Sequence, residues 1–366
     1  MAGESKRALL LSGSIGMGHD VMAEACRVSL DDRGWSTDLM DGLRLMGDSQ
    51  RGLGERVFRA MFAIPGVYDA FHFTQLRQRG PLSRGADRIA AKLTVPALRT
   101  ELQQRGVELL VSVFATAAGA ASRLKPEFPG MRTVTFCTDA VPHALWEYEN
   151  TDLYLITSET GRRFIWRFHP GANVHIVPPP VRPQFYDAPT QADARQEFEV
   201  PLDAPCVLLM SSSWGIGPLV ELAEGLARAG IYTLAVAGRN ASLEAALRAV
   251  HEREKHVIPF GFTDRIPDLM AASDLVITSA GDTCSEARVI GRHLLLLDVV
   301  PGHGRENLQL ELEKGDADVA QATADGLQRS VLACLERVSK PTQRVVQTPQ
   351  AWEDAFTAAL ASIGLA

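Results

Sequence analysis

The sequence predicts an α/β protein made of two parallel-sheet halves. Three observations lead there. Short apolar runs alternate with helical segments along all 366 residues. The first run enters a glycine-bearing turn and a helix, a βαβ opening. The alternation then restarts at Cys206, after a stiff stretch from Pro178 to Pro183 that reads as a linker. Strands separated by helices pair in parallel, so each half is expected to carry its own parallel sheet.

In the first half, Arg7 to Ser12 reads as a strand. Gly13-Ser14-Ile15-Gly16-Met17-Gly18-His19 follows as a loop, then Val21 to Arg33 as a helix closed by Gly34. Trp35 to Met40 is the second strand. The glycines at 13, 16 and 18 do not follow the dinucleotide spacing, so NAD is not expected. Leu43 to Leu102 reads as helical pieces broken at Pro65-Gly66, with aromatic residues and arginines interleaved between 51 and 88. Ordinary amphipathic packing accounts for such a pattern, and a membrane-facing surface is its alternative. Leu109 to Phe114, Arg132 to Cys137, Leu153 to Thr157 and Val174 to Val177 are the remaining strands. A small-residue helix follows the first of these, and Glu159 to Phe168 is a further helix.

In the second half the strands are Cys206 to Ser211, Tyr232 to Ala237, Val257 to Phe260, Leu275 to Ile277 and Leu294 to Val300. Helices are expected at Leu219 to Ala229, Leu243 to His251, Ile266 to Ala272 and Cys284 to Ile290, with another opened by Glu306-Asn307. The tail adds two helices, Gly326 to Val338 and Trp352 to Ile363. The domain reading is 1–178 and 179–349, with a last helix at about 350–366 packing back on the first domain.

Composition bounds the function. With 46% apolar and 22% charged residues, the chain reads as a soluble globular protein. A formal net charge of -7 disfavours nucleic acid as a partner. No apolar run reaches membrane-spanning length, and the N-terminus reads as a first strand, so the expected compartment is the cytoplasm. The five cysteines, at 26, 137, 206, 284 and 334, are widely spaced and read as small buried residues, not as zinc ligands or disulfides.

Several loops in this order resemble a GT-B glycosyltransferase. The nearest branch contains the monogalactosyldiacylglycerol synthases and the processive diacylglycerol glucosyltransferases, with the lipid I N-acetylglucosaminyltransferase more distant. Gly16-Met17-Gly18-His19 is similar to that family's Gly-Gly-His loop. Thr138-Asp139 with His143 and Trp146 is similar to its T-D…H…W segment, and Pro179 to Phe185 to its G-x-P-x-R-x-x-F linker. Gly215-Ile216-Gly217-Pro218 matches the end of its glycine-rich loop, and Gly238-Arg239-Asn240 its C-G-R-N. Ala280-Gly281 with Ser285-Glu286-Ala287 matches most of A-G-P-G-T-x-x-E-A, and Pro301-Gly302 with Asn307 matches P-G-Q-E-x-x-N. The chain departs from the pattern at Ser211-Ser212-Ser213-Trp214, at Asp282-Thr283 in a loop one residue shorter, and at Gly304 where the family places a glutamate.

The resemblance implies two Rossmann-like domains facing each other across a cleft, an N-terminal acceptor domain and a C-terminal nucleotide-sugar domain. His19 is then the expected catalytic base, since imidazole titrates near neutrality. Asp139 orients it, acts as base itself, or caps the next segment. Gly18, Thr138, His143 and Trp146 are candidates to meet the acceptor, with packing as the alternative for the last two. Gly215, Gly217, Arg239, Phe262, Thr263, Ala280, Gly281, Asp282, Thr283, Glu286, Glu306 and Asn307 are the candidates for the nucleotide-sugar. Backbone N–H groups near Gly281 would hold the diphosphate, so no cofactor and no metal is expected.

The implied function is inverting transfer of a sugar from a UDP-sugar to a lipid hydroxyl such as that of diacylglycerol, at the membrane face. The implied partners are the nucleotide-sugar donor, the lipid acceptor and a membrane touched through 51–88. The alternatives are a soluble natural-product acceptor, an epimerase-like enzyme acting on a UDP-sugar, and a catalytically silent binding protein.

Overall fold

A parallel strand covered by helices on both faces must be apolar at nearly every position. The segments RALLLS, LLVS, LYLI, CVLLM, LVIT and HLLLL meet that demand, and all are strands. The computed structural model describes residues 5–13, 17–47, 66–210, 217–338 and 348–365. They divide into two units, Met1–Pro180 with Pro349–Ala366, and Val181–Thr348.

The first unit holds β1 (Arg7–Ser12), β2 (Ser36–Asp41), β3 (Leu109–Ser112), β4 (Arg132–Phe136), β5 (Leu153–Ile156) and β6 (Val174–Ile176). They form one parallel sheet in the order β2-β1-β3-β4-β5-β6. Successive side chains of a strand point to opposite faces. Ala8 and Leu10 therefore join one core, with the Met17–Asp31 helix and the C-terminal Pro349–Ala361 helix. Leu9 and Leu11 join the other, with Leu98 and Leu102 of the Pro81–Arg105 helix and the small residues of Ala115–Leu124. On the first face Trp352 stacks on Phe136, ring centroids 5.6 Å apart, and Phe356 stacks on Trp352 in turn.

The second unit holds β7 (Cys206–Met210), β8 (Tyr232–Val236), β9 (Val257–Phe260), β10 (Leu275–Thr278), β11 (His293–Leu297) and β12 (Ala317–Ala320). Its parallel sheet runs β12-β11-β10-β7-β8-β9. Buried Arg195 braces the N-terminal edge, bonding the carbonyls of Pro201, Leu202, Ala204 and Ala272 and the Asp274 carboxylate.

Each sheet reverses its winding once. The reversal lies between β1 and β3 in the first unit and between β7 and β10 in the second. Loops leaving the C-terminal ends of such a strand pair diverge, which opens a crevice for ligands. Helix starts differ from the sequence reading. Helices follow β1, β10 and β11 from Met17, Asp282 and His303, each a few residues early. The first turn after a βα corner carries polar and glycine residues, so apolar periodicity marks it late.

Candidate functional site

In the first unit, His19 lies at the reversal between β1 and β3. The sequence reading puts it at a loop tip; it is instead the third residue of the Met17–Asp31 helix. Its Nδ1 lies 2.7 Å from the carbonyl oxygen of Val113, just beyond β3, and 3.4 Å from Thr138 Oγ1. A carbonyl can only accept, so Nδ1 carries the proton and the neutral ring keeps its basic lone pair on Nε2. Phe114 meets the imidazole edge-on at 5.3 Å. Gly13 permits this packing, because a Cβ there would lie 2.5 Å from the Phe114 ring.

Asp139 follows β4. Its carboxylate accepts from Trp146 Nε1 at 2.8 Å and from His143 Nε2 at 3.5 Å. His143 Nδ1 in turn accepts from Leu145 N–H at 3.2 Å and caps the short turn Ala144–Trp146. One tautomer satisfies both contacts of that ring. Trp146 is only 2% exposed, with its indole N–H turned to Asp139. Gly18 and Thr138 are both half-buried.

A cavity of about 370 Å³ lies behind this segment, lined by Arg79, Asp87, Arg123, Glu147, Tyr148 and others. Arg79 Nη2 bonds Glu147 Oε2 at 2.6 Å, and Tyr148 donates to Asp87. Glu147 Oε1 is buried without a hydrogen-bond partner. Burial raises its pKa to about 7, against the pull of Arg79. The sequence reading missed this group, since nothing local marks a glutamate destined for burial.

In the second unit the donor candidates gather at the C-terminal edge of one sheet. Arg239 follows β8 and lies over the ring of Phe262, which follows β9, at 4.7 Å. Phe262 is 56% exposed, a large ring held out in solvent. Thr263 is half-buried and accepts from Arg265 N–H. Asn240 caps the Ala241–Arg253 helix. Gly217, at φ 111°, follows β7 with Val299 against it. Gly215 and 211–214 lie outside the described residues.

Ala280 and Gly281 lead from β10 into the Asp282–Ile290 helix, at the reversal with β7. Asp282 is thus the first residue of that helix and Thr283 the second. Burial, and then the charge of Glu286 one turn on, raise the Asp282 pKa to about 7, while Arg182 opposes both. Glu286 is 7% exposed. Arg182 clamps it, with Nε at 3.1 Å and Nη2 at 2.8 Å from Oε1. Burial raises the Glu286 pKa and Arg182 lowers it.

Glu306 and Asn307 sit in the first turns of the His303–Glu313 helix after β11, both half-buried. Gly304 lies against Val300, where a Cβ would come within 2.5 Å of the valine Cβ. This backbone has no room for a side chain at 304. Away from this edge, His293, Asp318 and Cys334 cluster closely enough to suggest a metal. Arg337 already supplies the cation there, at 2.7 Å from Asp318 Oδ2 and 3.2 Å from Cys334 Sγ. All five cysteines are buried and unbridged.

No family model matches the chain. It is 29% identical over 193 residues to a processive diacylglycerol beta-glucosyltransferase of Bacillus subtilis, covering 51% of this chain and 50% of that protein. It is 31% identical over 199 residues to monogalactosyldiacylglycerol synthase 2 of Arabidopsis thaliana, covering 50% and 42%. The chain therefore spans about half the length of these curated relatives. Among solved structures, Staphylococcus aureus MnaA with UDP superposes with a TM-score of 0.65 at 10% identity, covering 99% and 98% of the two chains. Acinetobacter baumannii MurG gives 0.54 at 15% identity, covering 98% and 97%. These two matches speak to fold alone. The chain has the two-unit GT-B fold, and over half its length it is similar to the diacylglycerol glycosyltransferases.

Proposed function

We propose that this protein transfers a sugar, with inversion, from a UDP-sugar to the hydroxyl of a lipid acceptor such as diacylglycerol. The observation that carries the reading is His19 at the reversal of the first sheet, its Nδ1 held by the Val113 carbonyl. That bond favours the tautomer whose Nε2 can take a proton. In the proposed step the acceptor O–H gives its proton to Nε2 as its oxygen bonds the sugar's anomeric carbon. The bond from that carbon to the diphosphate breaks, and UDP departs with the electron pair. Asp139, Thr138, Gly18 and His143 shape the acceptor side.

On the donor side, backbone N–H groups at Gly281, Asp282 and Thr283 receive the diphosphate, and the helix dipole favours it. Phe262 and Thr263 take the base, Arg239 a phosphate, Glu286 the ribose, and Glu306 and Asn307 the sugar. Gly217, with Gly215 before it, borders the phosphates. The reading needs no metal, so a chelator should leave turnover unchanged. The names of the curated relatives supply the lipid acceptor.

Membrane contact finds support in the Pro81–Arg105 helix, where Leu82 and Ile89 are each 64% exposed and seven residues apart. Such spacing puts both on one helix face, with Arg88 beside them. Among the described residues, no helix is long and apolar enough to cross a membrane.

Incubation with UDP-glucose or UDP-galactose and diacylglycerol vesicles is expected to release UDP and form a glycolipid. Turnover on soluble alcohols without vesicle binding would move the acceptor to a soluble molecule. Conversion of the UDP-sugar without any acceptor would instead favour an epimerase. Neither turnover nor nucleotide binding would leave a silent protein.

A further inference from the structure

We infer that Arg182 is the positioning residue for Glu286, and that this clamp sets how the donor site discriminates the hydroxyls of the nucleoside's ribose. The inference rests on the donor reading above and adds a residue to it. Arg182 places both Nε and Nη2 on the same carboxylate oxygen, Oε1. Oε2 takes no part in the pair, and among the described residues nothing donates to it. A carboxylate oxygen has two lone pairs, so Oε2 can accept from two neighbouring hydroxyls, as a ribose cis-diol presents them.

The arm that delivers Arg182 is itself fixed. Pro180 and Pro183 flank it closely and restrict the backbone. Its guanidinium lies over the Phe185 ring at 4.8 Å, and Phe185 is 1% exposed within a core of this unit. A planar group stacked on a ring and forked onto one oxygen leaves Glu286 little freedom to turn. Lysine offers neither the fork nor the plane.

The clamp also holds two like charges together. Asp282 and Glu286 are one helical turn apart; burial raises the pKa of both, the charge of Glu286 adds to the rise at Asp282, and Arg182 opposes it at both. Glu311 adds a further negative field at Asp282. Without Arg182, Glu286 would be a buried carboxyl free to rotate away from the ribose.

The test is calorimetry on the full chain with UDP and with 2′-deoxy-UDP. Wild type is expected to prefer UDP by about tenfold, the value of one hydrogen bond to a charged acceptor. Arg182→Met and Glu286→Gln should each bring the two affinities within about twofold, by weakening UDP alone. Arg182→Lys, the variant least disturbing to folding, should not restore the preference. If Arg182→Met or Arg182→Lys weakens both nucleotides equally and keeps their ratio, the inference is overturned and Arg182 acts elsewhere. If wild type binds UDP without preferring it, Glu286 does not read the ribose and the clamp has no such role. If wild type binds neither nucleotide, the donor reading falls first and takes the inference with it.

Discussion

The two sheet edges solve the same problem differently. Both bring polar side chains to the point where a parallel sheet reverses. At the first, the groups are satisfied by neutral donors and a backbone carbonyl: Val113 for His19, Trp146 and His143 for Asp139. At the second, one guanidinium clamps Glu286 and its charge also lowers the pKa of Asp282, while burial raises the pKa of both. The first edge is set by hydrogen-bond geometry and the second by charge. Such a contrast suits a division of labour in which one unit moves a proton and the other receives an anion.

The strongest way to break the comparison is His19→Ala. Loss of a positioned base is expected to lower kcat by roughly 10²–10⁴-fold and leave UDP affinity unchanged. Full turnover in this variant would remove the proton-transfer role from the first edge. Trp146→Phe keeps an aromatic ring near Asp139, though a smaller one, and deletes the indole N–H. A fall in kcat of about tenfold is expected, again without effect on nucleotide binding. An unchanged kcat would show that Asp139 needs no such orientation.

On the charge-governed edge, burial and the charge of Glu286 push the Asp282 pKa up to about 7, so its negative charge grows as pH rises from 6 to 8. UDP affinity of wild type should therefore weaken as pH rises from 6 to 8. Asp282→Asn should flatten that profile and tighten binding at pH 8 by about fivefold, the scale of a near-surface charge interaction. A profile identical in both proteins would mean that Asp282 turns away from the phosphates.

The smallest effect sharpens the boundary of the rule. Glu147 shows that the first unit also holds a carboxyl whose pKa burial raises. Its folded pKa, about 7, lies above the ordinary glutamate value of 4.5, so the folded state holds the proton more tightly. The stabilising contribution is complete below pH 4.5 and fades as pH rises through 7. Glu147→Gln should remove that decline, seen as a melting temperature a few degrees less sensitive to pH between 5 and 8. Equal slopes in both proteins would refute the assignment.

Much of this was open to sequence reasoning, for a physical reason. Strands buried on both faces are apolar throughout, so LVIT and CVLLM declare themselves. Strand β12, with Ala317, Asp318 and Val319 half-buried or exposed at the sheet's rim, shows no such run and was missed. The half-buried Gln191–Glu197 helix was missed for the same lack of pattern. His19 and Asp282 could be singled out because their βα corners carry glycine and a change of period, and Asp139 because it ends an apolar run. Their partners could not. Arg182 and Glu286 stand 104 residues apart, and no local signal joins them. The crowding of Gly304 on Val300 likewise exists only once the helix has docked.

The helix Pro349–Ala361 has a consequence for how the protein is made. Unit two is continuous, whereas unit one is completed only by this returning segment. During synthesis every residue from Val181 to Thr348 leaves the ribosome before Trp352 can cover Phe136. The first sheet must wait, one apolar face unsealed, while the later domain folds. Chaperone dependence should therefore concentrate on the N-terminal half, even though it is translated first.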